Sequence, residues 1–197
     1  ATIRRQRQMC IRDRVDDALQ TLPVAADGGL CLEALAKRLR ALQAEGRPCL
    51  AVVATAGTTV RGAIDPLSDL ATLCRDAEVC LHVDAAIGGV FALGSTHASL
   101  MDGMELADSI TLNPQKLLGI TKASSLLLLR DRTHLRQAFS TGLPYMEAPK
   151  GMDHGGEIGL QGTRPAEILK LWLGLRQLGE AGICLLYTSD AADEWLR

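Results

Sequence analysis

The sequence predicts an α/β fold, in which a mostly parallel sheet is flanked by helices. The first observation is that short apolar segments rich in β-branched residues alternate with segments whose leucines recur at helical spacing. The second is that reactive polar side chains follow several of the apolar segments directly. In a parallel sheet these positions share one edge, where ligands of open α/β sheets bind. We therefore predict a ligand site at that edge.

The first half of the chain alternates between helix and strand. Residues 31–45 have leucines at helical spacing and predict an amphipathic helix. Residues 50–55 predict a buried strand, and residues 79–83 predict the next one. Between them, Asp65 is expected to cap a second helix with Pro66 in its first turn. The inner face of that helix should carry Leu67, Leu70, Ala71 and Cys74.

The second half continues the same alternation. Residues 109–112 and 124–130 predict strands, and residues 131–139 and 165–178 predict helices. The glycine-rich segment 151–162 predicts a mobile loop. Helices between the strands are expected to cover both faces of the sheet. The inner face of the last helix is expected to consist of Ile168, Leu169, Trp172, Leu175 and Leu178.

Three motifs place reactive side chains at predicted strand ends. Residues 54–66 read Ala-Thr-Ala-Gly-Thr-Thr-Val-Arg-Gly-Ala-Ile-Asp-Pro, residues 82–86 read His-Val-Asp-Ala-Ala, and residues 113–116 read Asn-Pro-Gln-Lys. Together they offer hydroxyls, a carboxylate and a lysine. A pyridoxal phosphate enzyme needs such a set, because a lysine binds the cofactor aldehyde and an acid pairs with the pyridine nitrogen.

In order and spacing, these motifs resemble the pyridoxal-dependent decarboxylase family, which includes aromatic-amino-acid, glutamate and cysteine-sulfinate decarboxylases. The resemblance runs from about residue 15 to residue 183. It implies part of the large domain of the pyridoxal phosphate-dependent aminotransferase-like fold, with pyridoxal 5'-phosphate as cofactor. It also implies an amino acid substrate, released as the amine and carbon dioxide. The parent protein would be a homodimer with active sites at the subunit interface.

Lys116 and Asp84 have the central roles that the resemblance implies. Lys116 would bind the cofactor aldehyde covalently, and the alternative is a solvated surface lysine. Asp84 would keep the pyridine nitrogen protonated, so that the ring accepts electrons. The alternative for Asp84 is a helix cap or a structural ion pair. Ala86 is small enough to let the ring lie against the backbone.

His82, Thr59, Asn113 and Gln115 complete the implied cofactor-binding set. The family places His82 near the cofactor, and a satisfied core histidine remains open as the alternative. Thr59 matches a threonine beside the cofactor, unless Thr58 and Thr59 only hold a turn through side-chain-to-backbone bonds. Gln115 stands where the family often has a histidine that reaches toward the phosphate. An amide can still donate to phosphate.

Tyr145 is the proton donor that the resemblance implies. Its spacing from Lys116 matches the aromatic-amino-acid decarboxylases without a gap, and there a loop tyrosine helps to protonate the carbanionic intermediate. Members with phenylalanine here tend to make aldehydes oxidatively, so Tyr145 favours simple decarboxylation. The alternatives are an exposed loop aromatic for Tyr145 and His154 as the proton carrier. Arg164 matches a family arginine that could contact the cofactor region or an interface, or be structural.

The two ends of the chain differ from the rest. Residues 4–14 and 184–194 match translations of one transposon-type sequencing adapter in opposite orientations. We therefore expect residues 1–14 and 184–197 to be adapter-derived artefacts. Residues 15–183 would then be a partial cofactor-binding large domain, expected to be inactive by itself. The alternative is a basic N-terminal arm and a short acidic tail.

Composition excludes several classes of protein. With 197 residues, 47% of them hydrophobic, the chain can form one domain with a core. Without the two ends the net charge changes from −2 to −4, since 15 basic and 19 acidic residues remain, and the basic cluster that could bind nucleic acid is removed with them. The apolar runs are too short to span a bilayer. We expect a cytoplasmic protein without nucleic acid or membrane partners. The cysteines are expected to be reduced core thiols without a bound metal: Cys31, Cys49, Cys74 and Cys80.

Two other functions remain open. The first is another pyridoxal phosphate-dependent lyase, such as a desulfurase or an aldehyde synthase. Tyr145 disfavours the synthase, and a desulfurase would need a mobile cysteine, for which only Cys184 follows Lys116. The second is a non-catalytic remnant that dimerises but has lost its chemistry.

Overall fold

Four α-helices and four β-strands, joined by turns and short 3₁₀ segments, are present in the described part of the chain. The computed structural model describes residues 18–122, 124–146, 154–160, 162 and 165–188, apart from the side chains of residues 145, 187 and 188. In chain order these elements are α1 (Leu32–Ala44), β1 (Ala51–Thr55), α2 (Leu67–Asp76), β2 (Cys80–Asp84), β3 (Ser109–Leu112), β4 (Leu126–Leu129), α3 (Thr133–Phe139) and α4 (Glu167–Thr188).

The strands form one sheet in the order β1-β2-β3-β4. β1, β2 and β3 are parallel, and β4 is antiparallel to β3. The described residues between β3 and β4 form turns rather than a crossover helix, so the chain returns in the opposite direction. Asp84 at the end of β2 lies opposite Thr55 of β1 and Thr111 of β3. The predicted α/β class with a mostly parallel sheet is confirmed.

One face of the sheet packs against α1 and α2. Alternate residues of β1 and β2 point into this core, which is the period-two pattern that a strand with one buried face requires. Each large aliphatic side chain buried there stabilises the fold by roughly 1.5–3 kcal/mol. The core includes Leu35, Val52, Ala54, Leu67, Leu70, Cys74, Leu81 and Val83.

Cys74 has the role of a core thiol that the sequence predicts. It lies on the inner face of α2 and is buried. Burial raises the pKa of Cys74 to about 11, and the neighbouring Cys49, Asp108 and Cys80 add to the shift. The thiol is therefore protonated at neutral pH and does not act as a nucleophile.

The other face of the sheet has no helix packed on it within the described residues. Val53 is 56% exposed and Leu127 is 57% exposed on this face. The prediction that helices cover both faces is thus not met by the described part of the chain. His82 and Asp84 lie on this open face, because they alternate along β2 with the buried Leu81 and Val83.

Asp65 does not cap α2, and this prediction is wrong. Its Oδ1 accepts a hydrogen bond from Leu30 N at 2.7 Å, and its Oδ2 accepts one from Thr55 N at 2.6 Å. Helix α2 begins after Pro66 without a side-chain cap. The carboxylate instead satisfies two backbone N–H groups from distant segments. Asp65 thereby joins the end of β1 to the segment before α1.

Helix α4 consists of two helical segments that meet at the non-helical Gly179 (φ 60°, ψ 178°). The first segment agrees with the predicted helix 165–178 but buries a different face, and the second continues to Thr188. The buried residues of α4 are Leu171 before Gly179 and Ile183 after it, while Trp172 is 57% exposed and lies under the Arg176 guanidinium, 5.8 Å from the ring centroid. The predicted inner face is therefore wrong at Trp172, Ile168 and Leu169 and holds in part at Leu175 and Leu178. A shift of one residue turns a helix face by about 100°.

Candidate active site

The loop after β1 is held by Thr58. Its backbone N–H donates to Ala63 O, and its Oγ1 accepts from Ala63 N, both at 2.9 Å. This is the side-chain-to-backbone turn that the sequence left open as an alternative. Thr59 is exposed, and its hydroxyl has no hydrogen-bond partner within the described segments. Of the two hydroxyls, Thr59 is therefore the one available to a ligand.

Two glycines bring this loop against the segment after β2. Gly57 has a φ of +85°, and a Cβ there would lie 2.9 Å from Gly88 N. A Cβ on Gly88 would lie 2.6 Å from Ala56 O, which already accepts a hydrogen bond from Gly88 N at 3.0 Å. Only residues without a side chain permit such an approach of two backbones. The contact sets the Thr59 loop beside the residues that follow Asp84.

We expect Gly88→Ala to lower the free energy of unfolding by about 1–3 kcal/mol, because the new methyl group meets a backbone oxygen that cannot rotate away. Urea unfolding of this chain measures the effect. Gly162→Ala is the control, since a Cβ there meets no atom within 4 Å. Equal free energies of unfolding for the two variants would contradict the close approach.

Asp84 lies half-buried at the carboxyl end of β2. Its Oδ1 accepts a hydrogen bond from Ala86 N at 3.2 Å. No cationic side chain in the described ranges forms an ion pair with it, so Oδ2 is open to a positively charged ligand. A carboxylate in such a place is costly unless it is paired. A protonated pyridine nitrogen would meet that requirement.

His82 precedes Asp84 on the same face of β2, and its ring is hydrogen-bonded at both nitrogens. Nδ1 lies 2.8 Å from Ser109 Oγ, and Nε2 lies 3.3 Å from Thr111 Oγ1. Burial lowers the pKa of His82 more than the Asp84 carboxylate raises it, so the ring is neutral at neutral pH. These contacts match the alternative of a satisfied histidine. They leave its ring face, rather than its nitrogens, for contact with a ligand.

Lys116 ends a turn that two amide side chains fasten to the start of β4. Lys116 N donates to Asn113 O at 3.0 Å. The buried Asn113 accepts from Ser125 Oγ through Oδ1 at 2.5 Å, and Gln115 Oε1 accepts from Ser124 N at 2.6 Å. Sequence reasoning missed both serines, because nothing local links them to the turn. Within the described residues, Gln115 Nε2 makes no hydrogen bond and can donate to an anionic ligand.

The amine of Lys116 is available for chemistry. The side chain is exposed, and it makes no hydrogen bond or ion pair with the part of the chain that the structure describes. Lys116 follows β3, and Asp84 ends the neighbouring parallel strand β2. The structure thus brings the predicted lysine and acid to one edge of the sheet.

Several predicted residues fall outside the described part of the chain. They are Arg164, the side chain of Tyr145 and most of both termini, so the artefact prediction for the ends stays a prediction. The backbone of Tyr145 lies in the short 3₁₀ turn Pro144–Met146. His154 Nδ1 accepts from Gly156 N at 3.2 Å and caps the turn Gly155–Glu157. His154 thus has a structural hydrogen bond at one ring nitrogen.

A cleft of about 480 Å³ lies at the opposite, amino end of the strands and contains none of the predicted site residues. Its lining includes Cys74, Arg75, Cys80, Asp108 and Arg130. Within the described ranges, no three His, Cys, Asp or Glu side chains converge as metal ligands would. No helix in those ranges has both the length and the apolar composition of a membrane span.

The described residues fit pyridoxal 5'-phosphate. Within the described ranges, Asp84 Oδ2 has no hydrogen-bond partner and could pair with the pyridine nitrogen, and the amine of Lys116 makes no hydrogen bond or ion pair. Ala86 and Gly88, which follow Asp84, are buried and small. The backbone after β2 therefore carries no bulky side chain at these two positions.

Comparisons with known proteins identify the family of this chain. The family profile described as the pyridoxal-dependent decarboxylase conserved domain matches residues 8–185. Cysteine sulfinic acid decarboxylase of Homo sapiens is 36% identical over 173 residues, which cover 85% of this chain and 35% of that protein. L-2,4-diaminobutyrate decarboxylase of Acinetobacter baumannii is 35% identical over 179 residues, covering 89% of this chain and 35% of that protein. The chain thus spans about a third of the length of these relatives.

Solved structures show the same fold. The crystal structure of mouse CSAD matches with a TM-score of 0.76 and 36% identity, covering 83% of this chain and 34% of that chain. The structure of Oryza sativa TDC with PLP and tryptamine matches with a TM-score of 0.81 and 28% identity, covering 89% of this chain and 37% of that chain. The family profile, the relatives and the site geometry agree, and this chain belongs to the pyridoxal-dependent decarboxylase family.

Proposed function

We propose that the protein containing this chain removes the carboxyl group of an amino acid as carbon dioxide, with pyridoxal 5'-phosphate as its cofactor. One observation carries the proposal. In a chain of this family, Asp84 ends β2 and Lys116 follows β3, the neighbouring parallel strand. Within the described residues, Asp84 Oδ2 and the Lys116 amine have no hydrogen-bond partner. The activity is proposed for the full protein, because this chain spans only about a third of the length of its relatives.

Five residues would hold the cofactor. Lys116 would bind its aldehyde covalently, and Asp84 would keep its pyridine nitrogen protonated. Ala86 would leave room for the ring, while Thr59 Oγ1 and Gln115 Nε2 would donate hydrogen bonds to its oxygen atoms. Asn113 and His82 would act less directly, by fixing the Lys116 turn and the β2–β3 pair. When bound, the cofactor supplies a sink for the electron pair that departing carbon dioxide leaves behind.

Tyr145 would return a proton to the α-carbon, since a phenol O–H is a donor that phenylalanine lacks. Its support is the spacing from Lys116 and the position of its backbone in the turn Pro144–Met146. His154 is a weaker candidate, because its Nδ1 already accepts a hydrogen bond from Gly156 N at 3.2 Å.

The substrate would be a small polar amino acid. Relatives at about the same identity are named for cysteine sulfinic acid, L-2,4-diaminobutyrate and L-aspartate, which all have short polar side chains. We further propose that the full protein is a cytoplasmic homodimer whose active sites lie at the subunit interface. The open sheet face that carries Asp84 is compatible with cover by further protein.

The test is to express the full-length protein and measure carbon dioxide release from a panel of amino acids. The panel contains the substrates named for the relatives together with tryptophan. We expect visible absorbance of bound cofactor and release of carbon dioxide with one amine formed per turnover. Bound cofactor without carbon dioxide release would favour another lyase on the same scaffold. Failure to bind cofactor at all would favour a non-catalytic dimerising protein.

A further inference from the structure

Glu157 is the one buried carboxylate among the described residues, with 5% of its surface exposed. It is 41 residues beyond Lys116 in sequence and has no part in the proposed chemistry. Burying a carboxylate is costly unless several hydrogen-bond donors surround it. The donors that surround the Glu157 carboxylate therefore indicate its role.

Within the described residues, the donors to Glu157 come from the segment that follows α3. Ser140 Oγ donates to Oε2 at 2.5 Å, Thr141 N donates to Oε2 at 2.8 Å, and Thr141 Oγ1 donates to Oε1 at 2.6 Å. The hydroxyls of Ser140 and Thr141 are the largest causes that lower the pKa of Glu157 to about 2. The carboxylate is therefore ionised at neutral pH, and charged acceptors make the stronger hydrogen bonds.

From Thr141 the contacts continue to the turn that contains Tyr145. Thr141 Oγ1, which donates to Glu157, accepts from Leu143 N at 3.4 Å. Leu143 O then accepts from Met146 N at 2.9 Å and closes the turn Pro144–Met146. Tyr145 is the central residue of that turn.

The Glu157 segment also contacts the far end of the same turn. A Cβ on Gly156 would lie 2.6 Å from Met146 Cε, so the methionine side chain packs directly on this glycine. The turn is therefore held at its start through Thr141 and at its end through Met146. Both attachments lead back to residues 156 and 157.

We propose that Glu157 is a positioning residue, whose carboxylate anchors the turn that presents Tyr145 to the reacting carbon. The anchoring of this turn by Glu157 is argued from the hydrogen bonds of Ser140 and Thr141. The part of Glu157 in catalysis rests on the proposed function. Glu157→Gln tests it best, because the amide keeps the size of the side chain. The amide NH₂ faces donors and cannot accept from them.

The first measurement is hydrogen exchange of residues 140–146 in the full-length protein. We expect Glu157→Gln to speed exchange of the Thr141 and Met146 amides by roughly ten-fold or more, because their segment loses its charged acceptor. Glu33→Gln, an exposed carboxylate in the first turn of α1, is the control and should change nothing there. Unchanged exchange at both amides in Glu157→Gln would overturn the anchor. Thr141→Val serves as a second variant, which keeps the carboxylate and removes the hydroxyl that donates to Glu157 and accepts from Leu143 N.

The second measurement is a double-mutant cycle on kcat per bound cofactor, combining Glu157→Gln with Tyr145→Phe. We expect Glu157→Gln to lower kcat by about ten-fold alone and by less than about two-fold in the Tyr145→Phe background. Cofactor absorbance and KM should stay within about two-fold in all variants. An equal loss of kcat in both backgrounds would overturn the positioning role. If Tyr145→Phe leaves kcat unchanged, the proton-donor assignment fails, and exchange alone decides the anchor.

Discussion

Lys116→Ala in the full-length protein is expected to abolish covalent attachment of pyridoxal 5'-phosphate and to lower kcat by roughly 1,000-fold or more. The reason is that the Lys116 amine, which makes no hydrogen bond or ion pair within the described ranges, is the group proposed to bond to the cofactor aldehyde. Borohydride reduction followed by peptide mass analysis locates the bond, and carbon dioxide release gives kcat.

Lys122→Ala is the matched control for this experiment. Lys122 is another exposed lysine in the same connection between β3 and β4. Its backbone oxygen accepts a hydrogen bond from Lys170 Nζ at 3.0 Å, a contact that does not involve the Lys122 side chain. The control should keep both the reducible bond and kcat. A cofactor bond that persists on another lysine in Lys116→Ala would refute the assignment of Lys116.

Asp84→Asn should leave the cofactor attached and still lower kcat by about 100-fold or more, because an amide cannot hold a proton on the pyridine nitrogen. The substitution keeps Oδ1, which accepts from Ala86 N. The free energy of unfolding should therefore change by less than about 0.5 kcal/mol. Absorbance of bound cofactor, carbon dioxide release and urea unfolding measure these three quantities.

The control for Asp84 is Asp69→Asn, which removes an exposed carboxylate from α2. It should leave kcat unchanged. If Asp84→Asn instead lost several kcal/mol of stability and kept kcat per folded molecule, Asp84 would be a structural ion-pair partner. The combination of stable fold and slow chemistry is what the cofactor role requires.

Much of the fold could be predicted from local patterns. The period of apolar residues identifies β1, β2 and β3 and helices α1 and α2 within a few residues, because side-chain direction repeats locally along a strand or a helix. The same patterns place Asp84 and Lys116 after strands that prove to be parallel neighbours. The direction of β4 could not be predicted from the sequence, since it depends on whether the connection from β3 forms a crossover helix.

Sequence patterns were sufficient to predict the α/β class, the strand ends and the family motifs with their reactive residues. The partners of the polar side chains became known from the folded structure. Asp65 binds Leu30 N rather than capping α2, Gln115 binds Ser124 N, and Glu157 binds the segment after α3. Periodicity is a property of neighbouring residues, whereas a hydrogen-bond partner is whichever donor the folded chain brings within about 3 Å. That donor can lie anywhere in the sequence.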